Sequence, residues 1–156
     1  MWPEPVERVA RELRAAAAEA TLQEFPHGTP TAREAALAIG CSLPEIVKSI
    51  VFVAGRSYVL ALVPGDRRAD DASVAEAAGV RSVRVATAEE VLDATGFEPG
   101  AVAPFPHPKV TRVLMERTLL QHDRVWIGAG SERHMAGLAP GELQRVANAE
   151  AADLLG

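Results

Sequence analysis

Residues 49–63 limit the fold more than any other stretch. Ser49-Ile-Val-Phe-Val-Ala54 and Ser57-Tyr-Val-Leu-Ala-Leu-Val63 are two β-rich runs with only Gly55-Arg56 between them. Branched and aromatic side chains suit a pleated, half-buried surface, and a two-residue glycine connection suits a tight hairpin. A chain built on such a hairpin must bury a sheet face against something. The flanking sequence supplies helices for that purpose. Val6, Val9, Leu13, Ala16, Ala17 and Ala20 recur at helical spacing over residues 4–20. Thr31-Ala-Arg-Glu34 and Thr87-Ala-Glu-Glu90 are capping boxes, the first opening a helix closed by Gly40 and the second one that ends near Thr95-Gly96.

The remaining segments fill in an order. A helical turn begins near Ser42 with Pro44 in its first turn, and Asp70–Ala78 is helical up to Gly79. Short strands are expected at Val80–Val85, Val110–Met115, Arg124–Ala129, His134–Leu138 and Ala149–Leu154. A helical piece covers Glu116–Gln121, a helix covers Pro140–Val146, and the Pro- and Gly-bearing stretches 25–30 and 99–108 are loops. Strands and helices mix without strict βαβ alternation, which indicates an α+β fold. A hairpin-rich order of this kind closes most naturally into a partial barrel.

Length and composition set outer limits. At 156 residues the chain is expected to be a single domain spanning 1–156, and 48% hydrophobic residues exclude a disordered polymer. No apolar run approaches the ~18–20 residues of a membrane span, and Met1-Trp2-Pro3-Glu4 lacks the signature of a secretory signal. A cytoplasmic protein with no membrane partner is therefore expected. Cys41 is the only cysteine, so an internal disulfide and a thiolate metal cluster are both excluded. A net charge of −5 argues against DNA or any long nucleic acid bound through a general basic footprint, though a local basic rim around an RNA end is compatible with it. Aromatics at 4% make a base-stacking platform a poor expectation.

The chemistry-bearing residues are few. His27, His107, His122 and His134 show no spacing that puts two metal ligands on one helix face, and isolated loop histidines are usually solvated. There is no G-x-S-x-G around a nucleophile, and Gly128-Ala-Gly130 carries neither a Rossmann pattern nor a Walker lysine. Cys41 reads as a small half-buried residue. Two features stand apart. Lys48, at the entry to the first hairpin strand, is one of only two lysines in a chain that otherwise uses arginine. A compact ammonium suits gripping a phosphate or a polarised carbonyl, and the competing reading is a surface lysine. The other is Gly100-Ala101-Val102-Ala103-Pro104, which is either a simple connection or a stiffened loop that aims N–H groups at an oxyanion.

Taken together these segments resemble the YbaK/EbsC family of free-standing aminoacyl-tRNA deacylases, whose domain is also the editing insertion of bacterial prolyl-tRNA synthetases. The resemblance is carried by Thr31-Ala-Arg-Glu-Ala-Ala, Ile46-Val-Lys48-Ser-Ile-Val-Phe, Tyr58 through Arg68, Thr95 through Phe105, and Val125-Trp-Ile-Gly-Ala-Gly130, in order and over nearly the whole chain. It implies a mixed, largely antiparallel sheet curled into a partial barrel with surrounding helices. It implies hydrolysis of a mischarged aminoacyl-tRNA ester, tRNA-Pro or a related tRNA being the expected carrier, without a cofactor or metal. Its partners would be the acceptor end of the aminoacyl-tRNA and a synthetase, and a non-catalytic binding module is the alternative. The resemblance makes Lys48 the essential residue, with the Gly100–Pro104 loop beside it. It places the amino-acid pocket partly in the loop holding Phe25, His27, Thr29 and Thr31, and partly at Gly130 and Ser131. The chain departs from the family at Pro106, where glycine is common after the Pro-Phe pair, at Glu116 in place of an Asp, and at Met135, a position polar in some relatives.

Overall fold

The hairpin forms as its sequence requires. In a computed structural model, which describes residues 2–156, strand β2 (Ile46–Ala54) runs antiparallel to β3 (Ser57–Pro64), with Ala54 opposite Ser57 across the two-residue turn. Met1, read above as part of the amino-terminal tetrapeptide, lies outside the described residues. β2 begins three residues earlier than expected, so Lys48 lies within the strand rather than at its entry.

The chain order is α1 (Glu4–Ala15), β1 (Ala20–Glu24), α2 (Ala32–Ile39), the hairpin, α3 (Asp71–Ala78), β4 (Arg84–Val85) and α4 (Ala88–Thr95). It continues with β5 (Val110–Glu116), β6 (Val125–Ser131), β7 (His134–Leu138), α5 (Pro140–Ala147) and β8 (Ala149–Ala152). The helical pieces at 43–45 and 117–121 are 3-10 turns. One sheet joins the strands in the order β1-β7-β6-β2-β3-β5-β8, with β4 attached to β2. The β1–β7, β6–β7, β2–β3 and β2–β4 pairings are antiparallel, whereas β2–β6, β3–β5 and β5–β8 are parallel. The edge strands β1 and β8 do not pair, so the curled sheet stays open. α5 lies near the β1 edge, since Arg145 donates to the Ala16 carbonyl and Glu142 accepts the Glu19 N–H.

Strand alternation decides which faces are covered. Leu60 and Leu62 of β3 join Val47, Val51, Val113, Met115 and Ile127 in the core on which α1 packs with Val9 and Leu13. Val59, Ala61 and Val63 face the other way, onto Val74 and Ala78 of α3. β3 is thus buried on both faces, which is why it reads as an almost unbroken apolar run. Phe25, Ile46, Trp126 and Met135 form a third cluster under Ala35 and Ala36 of α2. Glu116 is buried, yet both carboxylate oxygens are used, one accepting the Thr118 N–H and the other the Leu154 N–H. It ties the end of β5 to the C-terminal segment.

Two expectations are corrected. The first helix stops at Ala15, and Ala20–Glu24 forms the edge strand β1, antiparallel to β7 with Ala20 opposite Leu138. Ala17 takes a left-handed φ of 52°, a conformation that ends the helix. Alanine favours helix locally, but pairing with β7 outweighs that preference over residues 20–24. The strand expected over Val80–Val85 is only Arg84–Val85.

Candidate functional site

The sheet splays where β2 leaves β6. Their parallel ladder covers only Ile46–Trp126 and Val47–Ile127, and beyond it the two strands have no further register. The loop after α4 lies against this opening. An ideal Cβ on Gly128 of β6 would come within 3.0 Å of the Val102 carbonyl oxygen, so this loop and β6 touch backbone to backbone. On the other side, Phe25 N–H donates to the Arg133 carbonyl, and the N–H and hydroxyl of Thr29 both donate to the Glu132 carbonyl. The loop before α2 is thereby fastened to the β6–β7 turn. The space enclosed is a cavity of about 280 Å³, at the small end of the range for ligand sites, roughly 300–1,000 Å³.

Six of the expected site residues line this cavity: Lys48, Gly100, Val102, Thr29, Thr31 and Ser131. The other six lie outside its lining. Phe25 belongs to the cluster under α2, and His27 is exposed. Ala101, Ala103 and Pro104 are buried behind the loop, with Ala103 fully inside the main core. Gly130, with φ of 97°, packs against the amino end of α1, where an ideal Cβ would sit 2.6 Å from the Pro5 carbonyl oxygen. Only glycine satisfies both the angle and that contact. Cavity residues that sequence reasoning passed over include Ser49, His134 and Met135. Ser49 reads locally as an ordinary strand position, Met135 stands out only as a departure from the family, and His134 reads as one more isolated histidine.

Lys48 is half-buried, and its ammonium donates to the Arg67 carbonyl at 2.6 Å. Two further N–H donors on the ammonium remain for a ligand. Burial pushes its pKa below the ordinary lysine value, Arg68 lowers it further, and Asp66 works against both.

The Gly100 loop is organised by a turn. Ala101 N–H donates to the Glu98 carbonyl at 3.0 Å, and Pro99 and Gly100 occupy the two central positions. With φ of 87° at Gly100 this is the pattern of a type II turn, proline first and a left-handed glycine second. The turn consumes the Ala101 donor, and Pro104 has none. Among the described residues, the N–H groups of Gly100 and Val102 have no acceptor, and both residues line the cavity.

His134 is buried in β7 rather than solvated, and its Nδ1 shares a 2.6 Å hydrogen bond with Ser131 Oγ. Arg133 N–H donates to that same Ser131 oxygen, and Nε2 lies 3.8 Å from a Glu24 carboxylate oxygen. Burial pushes the imidazole pKa below its ordinary value, Glu24 opposing and Arg133 assisting. A histidine whose pKa is depressed by folding gives stability that is present above the unfolded value and lost as pH falls toward the folded one. The thermal midpoint should therefore fall more steeply between pH 7.5 and pH 5.5 in the wild type than in His134→Gln. Equal slopes would show that the imidazole is not desolvated as the structure has it.

No group of three metal-ligating side chains comes together among the described residues. Burial raises the Cys41 thiol pKa, which keeps it protonated and weakly nucleophilic. What the cavity offers is one ammonium, two free main-chain donors, and hydroxyl and imidazole groups. Such a set suits a small ligand with a carbonyl or anionic group.

Fold and site thus define a mixed-sheet domain with a small recess lined by a lysine, hydroxyls and an imidazole. The chain belongs to the aminoacyl-tRNA editing domain family, which matches residues 27–146. The proline–tRNA ligase of Stenotrophomonas maltophilia (strain R551-3) is 30% identical over 151 residues, covering 90% of this chain and 27% of the ligase. The chain thus spans about a quarter of the length of the ligases it matches. YwhH, an uncharacterized protein of Bacillus subtilis (strain 168), is 32% identical over 126 residues, 80% of each chain. Among solved structures, a candidate trans-editing enzyme for prolyl tRNA synthetase superposes with a TM-score of 0.92 at 34% identity. That match covers 100% of this chain and 99% of the other.

Proposed function

We propose that this chain is an aminoacyl-tRNA deacylase that hydrolyses the ester joining an amino acid to the terminal ribose of a mischarged tRNA. The observation that carries the reading is the cavity itself, which is lined together by Lys48 and by Gly100 and Val102, whose N–H groups have no acceptor among the described residues. Aminoacyl esters are labile, so positioning and charge stabilisation are enough to speed their hydrolysis. Water, or a hydroxyl of the terminal ribose acting on it, adds to the ester carbonyl. The developing oxyanion is met by main-chain N–H groups, the carbonyl carbon–ribose oxygen bond breaks, and the ribose leaves as a hydroxyl with the amino acid released as its carboxylate. Lys48 holds the terminal phosphate or the carbonyl from the cavity mouth.

The likeness to the editing insertion's host, a proline–tRNA ligase, and to a candidate trans-editing enzyme for that synthetase supports tRNA-Pro as the carrier. Only the acceptor end needs to enter a cavity of this size, which agrees with a chain of net charge −5. Residue-level selectivity then rests on the walls. A small recess excludes larger amino acids by clash, whereas rejecting one smaller by a methylene gains only ~1–3 kcal/mol.

The test compares a full aminoacyl-tRNA with the ethyl ester of the same amino acid, alongside binding of the uncleaved tRNA. The expected result is hydrolysis of the tRNA ester with a large advantage over the simple ester. Equal rates would make the chain a general ester hydrolase, and tight binding without hydrolysis would make it a capture module.

A further inference from the structure

β2 has an unpaired position between two ladders. The ladder to β6 ends at Val47–Ile127, and the one to β4 begins at Phe52–Val85. The Ile46 carbonyl accepts the Gly65 N–H on the β3 side, while the Val51 carbonyl accepts the Ala86 N–H on the opposite side. Alternation along the strand turns the N–H and C=O of Ser49 to that opposite side as well, midway between Val47 and Val51, where neither ladder reaches. The side chain adds a third polar group. Ser49 Oγ is buried with no hydrogen-bond partner among the described residues, and Ser49 lines the cavity. A buried hydroxyl left without a partner is costly, so this position is organised for a group from outside the chain.

The chemistry of that group follows from the rest of the lining. No Asp or Glu is among the described residues lining the cavity, although a Glu132 carboxylate oxygen stands beside its Gly100 wall, 3.6 Å from where a Cβ would lie. The hydroxyls of Thr29, Thr31 and Ser131 are already bonded, to the Glu132 carbonyl, to Glu34 and to His134. Ser49 is the cavity hydroxyl with no bond among the described residues, so both its proton and its lone pairs are uncommitted. An α-amino ester carries an ammonium donor and a carbonyl acceptor on neighbouring carbons, the complement of the C=O and N–H of an unpaired strand residue. We infer that Ser49 binds the α-ammonium of the aminoacyl group through its hydroxyl and main-chain carbonyl, so that the open edge of β2 recognises the amino ester and not its side chain. The inference rests on the deacylase reading for the identity of the ligand. Lys48 projects from the opposite face of β2 into the same cavity, so an ester held at Ser49 crosses the strand edge with its ribose toward the ammonium.

The experiment uses stable amide probes, 3′-deoxy-3′-(aminoacylamino)adenosine and its α-hydroxyacyl counterpart, titrated against the wild type, Ser49→Ala and Ser49→Thr. The wild type should prefer the amino probe by about tenfold or more, the scale of a hydrogen bond to a charged group. Ser49→Thr should keep that preference, and Ser49→Ala should lose most of it with a thermal midpoint no lower than the wild type. A wild type that binds both probes equally, or neither, overturns the assignment. So does a Ser49→Ala protein that keeps the preference, or one that is destabilised, because its hydroxyl would then have a partner within the fold. Deacylation by the wild type is measured in parallel. Preferential binding of the amino probe without hydrolysis of any aminoacyl-tRNA would overturn the deacylase reading and leave the Ser49 site standing.

Discussion

Lys48→Ala is expected to lower deacylation by at least about a hundredfold, the scale on which removal of one charge-stabilising donor acts. The protein should stay folded. The ammonium makes one hydrogen bond, to the Arg67 carbonyl, and the strand around it is held by the continuous β2–β3 ladder from Val47 to Ala54. A single hydrogen bond from a charged group contributes about 1.5–3 kcal/mol, so the thermal midpoint should fall by several degrees with the cooperative transition kept. Lys48→Arg should restore little activity, because a forked guanidinium does not reproduce a compact ammonium in a small recess. Near-wild-type turnover in a folded Lys48→Ala protein would remove Lys48 from the chemistry and return it to the surface-lysine reading. The pH profile gives a second check. If the charged ammonium is needed, the enzyme-dependent rate should decline on the alkaline side at a pH below the ordinary lysine value, because burial and Arg68 lower the Lys48 pKa.

Gly100→Val should lower turnover by about a hundredfold or more. The φ of 87° is the cause, since an ideal Cβ at this position would meet no backbone atom closer than the Glu132 carboxylate at 3.6 Å. A β-branched residue held in this left-handed region is strained by about 1–2 kcal/mol, and relief of that strain would re-aim the N–H groups that follow. Ala103 is unsuitable as a control because it lies fully inside the core, where a serine hydroxyl would be buried. Val102→Ala is the better comparison, as it trims a side chain on the cavity wall and leaves the backbone alone. It should cost far less than Gly100→Val. Equal damage from the two would mean that the loop acts through its side chains as a pocket wall, and the oxyanion role would pass to other donors.

The parts of this molecule legible in its sequence are those fixed by short-range chemistry. Thr31 and Thr87 cap α2 and α4 as their spacing requires, each hydroxyl accepting the N–H three residues on. The Gly55-Arg56 turn places the hairpin, and the hairpin fixes the position of Lys48. Features that depend on distant partners were not legible. Residues 20–24 form a strand only because β7 offers an edge to pair with. His134 is buried only because the β6–β7 turn packs beneath the amino-terminal segment, where the Trp2 ring stands edge-on to it at 5.4 Å between centroids. The place of Ser49 in the site is likewise invisible locally, because it depends on where two ladders on the far side of β2 stop. The resemblance to the deacylase family names Lys48, the Gly100 loop and Gly130 alike; the first two line the cavity, and Gly130 packs against the amino end of α1.

The central claim is tested most directly by following ester loss from tRNA-Pro charged in turn with proline, alanine, cysteine, serine and threonine, with the protein in excess and Lys48→Ala as the blank. At least one mischarged ester should be lost far faster with the wild type than with Lys48→Ala, while prolyl-tRNA-Pro is spared. Loss of every ester at the rate seen with Lys48→Ala would contradict a deacylase built on this cavity.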